Sequence, residues 1–222
     1  LQRLAFVDEI TGLPNREFFY DELKKVCEQQ RLREGRAAVI TFHLEDFDNQ
    51  HGSLSASRYS DVLQELCQRL VRELRGANSL DDEDFERRTI VARIDFHRVG
   101  IILPSIETGS DAESVTERLV QLLEQPVDIK GKSLATTVYA GIALFPQDSD
   151  DAATIASNSN AALDEARSGE PGNIIFHSGT MKLQTLERQD LEVELKAALD
   201  RGSFALNFLP IVDASTGAVR SV

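Results

Sequence analysis

Hydrophobic residues recur along this chain at two spacings, one typical of amphipathic helices and the other of strands. Apolar residues three or four positions apart predict helices, which cover residues 16–32, 54–74, 111–124 and 151–167. Short runs rich in apolar and β-branched residues predict strands, at residues 37–44, 91–103 (a hairpin), 133–145 and 173–177. Because helices and strands alternate up to residue 177, the pattern predicts one α/β domain with a sheet of about five strands flanked by helices.

Local signals refine three of these elements. Residues 8–16 are rich in turn formers, and Asn15 is expected to cap the helix that follows. Asp150 or Asp151 is expected to cap the helix that ends near residue 167. Residues 37–44 lack the polar alternation of a half-exposed strand, so they predict a strand that is buried on both faces.

The pattern changes after residue 178. Residues 181–200 predict one polar, heptad-like helix with leucines along one side. This stripe either packs against a following domain or forms a dimeric coiled coil, and the small number of clean heptads weighs against the coiled coil. The chain stops inside a strand-like stretch, so we expect it to be part of a longer protein. We divide it into a domain at residues 1–178, a connector helix at 179–202 and the start of a second domain at 203–222.

Composition and charge narrow the functional class. The chain has 41% apolar and 27% charged residues, which is ordinary for a globular protein, and its net charge is −13. This acidity argues against a general nucleic-acid binder, because phosphate contacts need clustered Lys and Arg. Cys27 and Cys67 show no CxxC spacing, so buried free thiols in a reducing, cytoplasmic compartment are expected. No apolar run is long enough to span a membrane, although the longer protein could be anchored elsewhere.

Several motifs in the first 177 residues resemble GGDEF domains, the bacterial family that joins two GTP molecules into cyclic di-GMP. DEITGLPNREFF at residues 8–19 is similar to the opening loop of that family, and VYAGIALFP at residues 138–146 to one of its strands. Phe47 and Leu63 fit the family register without a gap, and residues 161–167 resemble its last helix. The resemblance implies a cyclase-type α/β fold.

The end of the chain resembles a second family of the same signalling system. FLPIVD at residues 208–213 is similar to the opening strand of EAL domains, which hydrolyse or bind cyclic di-GMP. Leu209 replaces the glutamine expected there. The resemblance implies that an EAL domain in the same chain is the immediate partner of the GGDEF domain.

The five signature letters of the first family fall on Asp95, Phe96, His97, Arg98 and Val99, which read DFHRV. The resemblance places one metal-binding acid of the family at residue 43 and the other at residue 97, and both are histidine here. Glu45 falls on a second acid of the first strand. Since Mg²⁺ prefers oxygen ligands, these positions predict that neither Mg²⁺ nor GTP is bound as in an active cyclase.

Other positions that the resemblance assigns to nucleotide contacts are also changed. The guanine-reading asparagine and aspartate fall on His51 and Ser60, and a phosphate-side lysine falls on Asp48. Arg93 and Arg167 match basic positions of the family, and the second of these touches phosphate there. We interpret both as salt-bridged or surface arginines.

The product-inhibition motif of the family is replaced as well. Its two positions are Glu86 and Thr89 here, which predicts that this inhibitory site is absent.

The histidines invite a transition-metal hypothesis. His43 lies at a strand end and His97 on the neighbouring hairpin, so two imidazoles could share an ion, with Asp95 or Glu45 supplying oxygen. Zinc usually takes three or four protein ligands, and the sequence has no HxxxH spacing. Drift after loss of catalysis is the favoured interpretation, and no metal is expected.

The resemblance thus implies a catalytically inactive GGDEF domain that regulates or positions an EAL domain, with cyclic di-GMP bound only by the latter. Three alternatives stay open. The pocket could bind GTP and activate the EAL domain, the domain could be an active cyclase with an unorthodox metal site, or it could be a platform for a second copy or another protein.

Overall fold

The computed structural model describes residues 6–45, 56–77, 89–129, 131–177, 211–212 and 219–221. By its internal contacts the chain divides into two units, Leu1–Lys182 and Leu183–Val222. The predicted domain boundary at residue 178 stays a prediction. In the described part of the chain no helix is both long and apolar enough to cross a membrane.

The first unit contains four helices and seven strands within its described residues. The helices are α1 (Arg16–Arg33), α2 (Ala56–Ala77), α3 (Gly109–Glu124) and α4 (Ala152–Arg167). The strands are β1 (Ala37–Leu44), β2 (Ile90–Arg93), β3 (Arg98–Leu103), β4 (Val127–Ile129), β5 (Lys132–Leu134), β6 (Val138–Phe145) and β7 (Ile174–Phe176).

Five of these strands form one mixed sheet in the order β2-β3-β1-β6-β7. All pairs are antiparallel except β6 with β7, which is parallel. β1 lies at the centre, and all eight of its residues are buried, as the unbroken apolar run predicts. The predicted α/β sheet of about five strands flanked by helices is confirmed.

The core has two layers because alternate residues of each strand point to opposite faces. One face packs against α2 and α3, where Leu66 and Leu119 are fully buried. The other face packs against α1 and α4, where Leu23 and Ile155 are fully buried. Cys27 and Cys67 are buried free thiols, one in each layer, as predicted.

The helix caps agree with the sequence. The Asn15 side chain accepts a hydrogen bond from the Phe18 amide at 3.1 Å, and Asp151 rather than Asp150 accepts from the Thr154 amide at 2.8 Å. α3 begins two residues earlier than predicted, because Asp111 accepts a hydrogen bond from the Thr108 amide at 2.8 Å and so stabilises an earlier turn.

The prediction of a single strand over residues 133–145 was wrong in its first part. Residues Lys132–Leu134 instead pair with β4 in a separate short hairpin, and the long strand begins at Val138. The Gly131 turn, with φ of 78°, allows this hairpin. Strands of three residues are too short to show a periodicity, so the sequence gives no signal for them.

The second unit is described only at β8 (Ile211–Val212) and β9 (Val219–Ser221), which pair in antiparallel fashion. β8 falls inside the strand predicted at residues 203–213. The connector helix predicted at residues 179–202 lies outside the described residues.

Candidate functional site

The candidate site lies where β1 ends beside the turn between β2 and β3. His43 is the penultimate residue of β1 and pairs with Arg98 of β3 on one side and Tyr139 of β6 on the other. His97 immediately precedes β3, and its carbonyl accepts a hydrogen bond from the Leu44 amide at 2.9 Å. The ring centroids of His43 and His97 are 5.5 Å apart, which confirms that the two imidazoles are neighbours.

His43 is buried in a positively charged setting. Its side chain is 7% exposed, and within the described part of the chain its Nδ1 atom has no hydrogen-bond partner. Burial lowers the pKa of His43 to about 4, and the positive charges of Arg167, His97 and Arg98 contribute, while Glu45 opposes them. The imidazole is therefore neutral at physiological pH, unlike the carboxylate that the family resemblance places here.

The turn between β2 and β3 is built by Asp95. One of its carboxylate oxygens accepts hydrogen bonds from the backbone amides of His97 at 3.0 Å and Arg98 at 2.9 Å. This local bonding is typical of an aspartate that begins a tight turn. None of the residues Asp95 to Arg98 has a positive φ, so the turn does not need the glycines that the family carries here.

Phe96 connects this turn to α2. Its ring stacks on that of Tyr59, with centroids 4.4 Å apart and planes inclined by 3°. The Tyr59 hydroxyl donates a hydrogen bond to the Phe96 carbonyl at 2.8 Å and lies 3.3 Å from Nδ1 of His97. Because the hydroxyl has a single proton, Nδ1 of His97 acts as the donor in the second contact.

Tyr59 is the residue whose role the sequence did not reveal. Its helical spacing predicts only a core position, and it is indeed 8% exposed. The available signal was an aromatic residue next to Ser60, a position that the resemblance assigns to guanine. Ser60 itself is half-buried on α2.

The arginines of the site already have acidic or amide partners. Arg98 donates to the Asn160 side chain at 2.9 Å and lies 3.6 Å from Asp95 and 3.7 Å from Asp164. Arg93 is buried and contacts both carboxylate oxygens of Asp8 at 3.0 Å, which confirms the prediction that it is salt-bridged.

The remaining predicted positions divide into three sets. Glu45 accepts a hydrogen bond from the Tyr139 hydroxyl at 3.3 Å, and Arg167 is exposed at the end of α4. Val99 is fully buried in the core, and Thr89 is half-buried directly before β2. Asp48, His51 and Glu86 lie outside the described residues.

The donor set does not fit Mg²⁺. Two imidazoles stand at the positions where the resemblance places oxygen ligands, and a ring nitrogen is a poor ligand for a hard cation. Among the residues that the structure describes, no three His, Cys, Asp or Glu side chains are grouped to hold a metal ion. The arrangement therefore holds the hairpin in place, and the described residues offer no two-acid metal centre.

Comparison with known proteins agrees with this fold. Residues 5–172 match the family described as "Diguanylate cyclase, GGDEF domain". The cyclic di-GMP phosphodiesterase NbdA of Pseudomonas aeruginosa is 26% identical over 222 residues, which is 100% of this chain and 27% of that protein. The bifunctional diguanylate cyclase/cyclic di-GMP phosphodiesterase MucR of the same organism is 25% identical over 222 residues, or 100% of this chain and 31% of that protein.

Solved structures extend the likeness to three dimensions. The GGDEF domain of TpbB (YfiN) from Pseudomonas aeruginosa superposes with a TM-score of 0.66 at 22% identity, covering 78% of this chain and 94% of that chain. This likeness shows a shared fold. The chain spans less than a third of the length of NbdA or MucR.

Proposed function

The chain belongs to the GGDEF domain family, and we propose that its GGDEF domain makes no cyclic di-GMP and instead regulates or positions an EAL domain in a longer signalling protein. The observation that carries this proposal is the Phe96–Tyr59 stack. It places two aromatic rings beside the turn where the family signature has glycines, and we expect these rings to obstruct a nucleotide there.

The electrostatics of the site support the same proposal. Joining two GTP molecules requires a divalent cation to neutralise the triphosphate, and acidic oxygens to bind that cation. His43 is neutral, and Arg98 brings a positive charge to a position that is acidic in the family. Neither side chain therefore offers the acidic oxygen that such a cation needs.

Loss of catalysis leaves a structural role for the domain. The framework is intact, because the sheet, the caps and the Asp8–Arg93 pair are all present. A rigid domain next to an EAL domain can bias the packing of that domain through protein contacts alone. The likeness to NbdA and MucR, both named as cyclic di-GMP phosphodiesterases, supports such a tandem.

A second candidate is a GTP-binding activator of the EAL domain. It is favoured by one observation, the positive charge that Arg98 and Arg167 bring to the surroundings of His43. Such charges could contact a phosphate without metal. The Phe96 ring weighs against a bound guanine, so this candidate ranks second.

Product formation tests the catalytic part of the proposal. The chain is incubated with GTP and either Mg²⁺ or Mn²⁺, and the mixture is separated by chromatography. We expect no cyclic di-GMP with either ion, because histidines stand at the two positions that the resemblance assigns to metal-binding acids. Steady formation of cyclic di-GMP with Mn²⁺ would instead support an active cyclase with an unorthodox metal site.

A further inference from the structure

An open groove of about 700 Å³ lies between the first turns of α1 and the tip of the β2–β3 hairpin. Its apolar lining comes from Tyr20, Ile94 and Phe96. Phe96 is 53% exposed, which is unusual for a phenylalanine in an otherwise well-packed domain. Tyr20 and Ile94 lie outside the positions that the family resemblance assigns to metal or nucleotide, whereas Phe96 falls on one of the signature letters.

The exposed ring of Phe96 is held in one orientation. Tyr59 stacks on it, and the Arg93 guanidinium lies 5.9 Å from its centroid. Because the ring is already fixed, a partner that covers it loses little additional side-chain entropy on binding. A fixed, half-exposed aromatic ring is the kind of anchor that protein interfaces use.

The polar lining of the groove is acidic. Its charged residues are Asp8, Glu17, Asp21 and Asp95 against Arg16 and Arg93. Arg93 is neutralised by Asp8, and Asp95 lies 3.6 Å from Arg98 outside the groove. Arg16 lies over the Tyr20 ring at 5.5 Å, so Glu17 and Asp21 face one cation. The groove therefore keeps an excess of negative charge.

Two of these carboxylates repel each other. Glu17 and Asp21 are both exposed and lie one helical turn apart on α1, a spacing at which like charges destabilise a helix. Lys25, one turn further along, is already bonded to Glu22 at 2.5 Å. A cationic partner would relieve this repulsion.

We infer that this groove binds a segment of another protein in which an aromatic or long apolar side chain is flanked by arginine or lysine. The apolar side chain covers Phe96 and Ile94, and the cations face Glu17 and Asp21. Charge complementarity of this kind selects the partner and speeds the encounter. The inference goes beyond the proposed function and does not depend on loss of cyclase activity, since it needs neither GTP nor metal.

The test uses the full 222-residue chain and three short synthetic peptides. The first has two tryptophans flanked by arginines, the second has serine in place of the tryptophans, and the third has glutamate in place of the arginines. Binding is followed by NMR through the backbone amide signals of the labelled chain. We expect only the first peptide to move the signals of Tyr20, Ile94 and Phe96.

Two matched double variants separate specific binding from general charge attraction. The groove variant, Glu17→Lys with Asp21→Lys, reverses the charge of two carboxylates that line the groove. The control variant, Glu28→Lys with Glu117→Lys, reverses the charge of two exposed glutamates outside it. Both change the net charge by the same amount. The groove variant should bind the first peptide at least about tenfold more weakly than the unchanged chain does. The affinity of the control variant for the same peptide should stay within about twofold of the unchanged chain.

Phe96→Ser independently tests the role of the aromatic ring, and we expect it to weaken binding of the first peptide by about tenfold as well. Equal weakening by both double variants would overturn the inference, as would equal binding of the serine peptide. Signals of the same residues that shift on dilution without any peptide would identify a second copy of this chain as the occupant, which also overturns it.

Discussion

At the level of single residues, Arg93 is a buried charge that joins two parts of the domain. Its side chain is 7% exposed, and Asp8 is its carboxylate partner. Its Nε also donates to the Asp95 carbonyl at 3.0 Å, so the arginine connects the N-terminal loop to the hairpin. Removing the carboxylate would leave a buried positive charge without compensation.

Asp8→Asn is therefore expected to lower the free energy of unfolding by about 2 kcal/mol at neutral pH, measured by urea denaturation. Burial of Asp8 would raise its pKa, but hydrogen bonds from Thr11 and Arg93 outweigh burial and hold the pKa below its ordinary value. This stability is present above the unfolded pKa and is lost as the pH falls through the folded pKa. The difference in free energy of unfolding between the unchanged chain and the Asp8→Asn variant should therefore become smaller in acid.

Glu117→Gln is the control for this substitution, because Glu117 is exposed on α3. This substitution should change the free energy of unfolding by no more than about 0.5 kcal/mol. An Asp8→Asn variant as stable as the control would show that the Asp8–Arg93 contact does not stabilise the fold.

His43 gives the domain a specific response to pH. Burial lowers its folded pKa to about 4, whereas an unfolded histidine titrates near about 6.5. Between these values the unfolded chain binds a proton that the folded domain does not, so stability falls as the pH drops from about 6.5 to about 4. Titration of His43 should lower the free energy of unfolding by about 3 kcal/mol at most over this pH range.

His43→Leu should flatten that part of the stability curve, measured as urea unfolding at a series of pH values. His177→Gln is the matched control, since His177 is exposed and the variant retains His43. An unchanged pH slope in His43→Leu would contradict the burial of a neutral imidazole at this position.

At the level of elements, the hairpin turn and α2 are connected by the Phe96–Tyr59 pair. Stacked aromatic rings contribute beyond the area that they bury. A double-mutant cycle with Tyr59→Leu and Phe96→Leu should give a coupling energy of about 0.5 to 1.5 kcal/mol in urea unfolding. Additive single effects would mean that the hairpin and helix are independent.

The contact between α4 and β6 depends on a glycine. A Cβ atom on Gly141 would lie 2.2 Å from the Leu163 nitrogen and from the Ser159 carbonyl oxygen. Both are backbone atoms, so the helix itself would have to move. Gly141→Ala should therefore destabilise the domain by about 3 kcal/mol or more in thermal or urea unfolding.

Gly131→Ala is the comparison for this substitution. Gly131 has open space around a Cβ but a φ of 78°, so only backbone strain opposes the change. We expect a cost of about 1 kcal/mol. A smaller effect at Gly141 than at Gly131 would contradict the close approach of α4 to the sheet.

The sequence predicted most of these elements because each long helix and strand has its own periodicity. The buried strand Ala37–Leu44 and the Asn15 cap follow directly from local residue types. The hairpin of β4 and β5 was missed, because three residues on each side show no pattern. The position of an element in the sheet depends on pairing between distant residues, which no local pattern encodes.

The same division applies to the site. The proximity of His43 and His97 was predictable, because one lies at a strand end and the other on the neighbouring hairpin. Two features were not predictable, the Tyr59 contacts and the lack of a partner for Nδ1 of His43 among the described residues. Both depend on how α2 and the sheet pack together. A residue type shows which family position is changed, but only tertiary structure shows what surrounds that position.

At the level of the whole molecule, the domain has the fold of the GGDEF family, and we propose that it makes no cyclic di-GMP. The sheet and its helices have the family architecture, and imidazoles stand at the two positions that the family resemblance assigns to metal-binding acids. Such a domain acts through its surfaces. We propose two routes by which it would influence other domains, the groove beside Phe96 and contacts with an EAL domain of the longer protein.

Isothermal titration of the full chain with GTP in the presence of Mg²⁺ tests the central claim most directly. A diguanylate cyclase run alongside verifies the nucleotide and the buffer. The account predicts no binding heat from this chain up to millimolar GTP, because Phe96 and Tyr59 fill the space beside the turn and His43 and His97 replace the metal acids. Saturable binding with a micromolar Kd would contradict it.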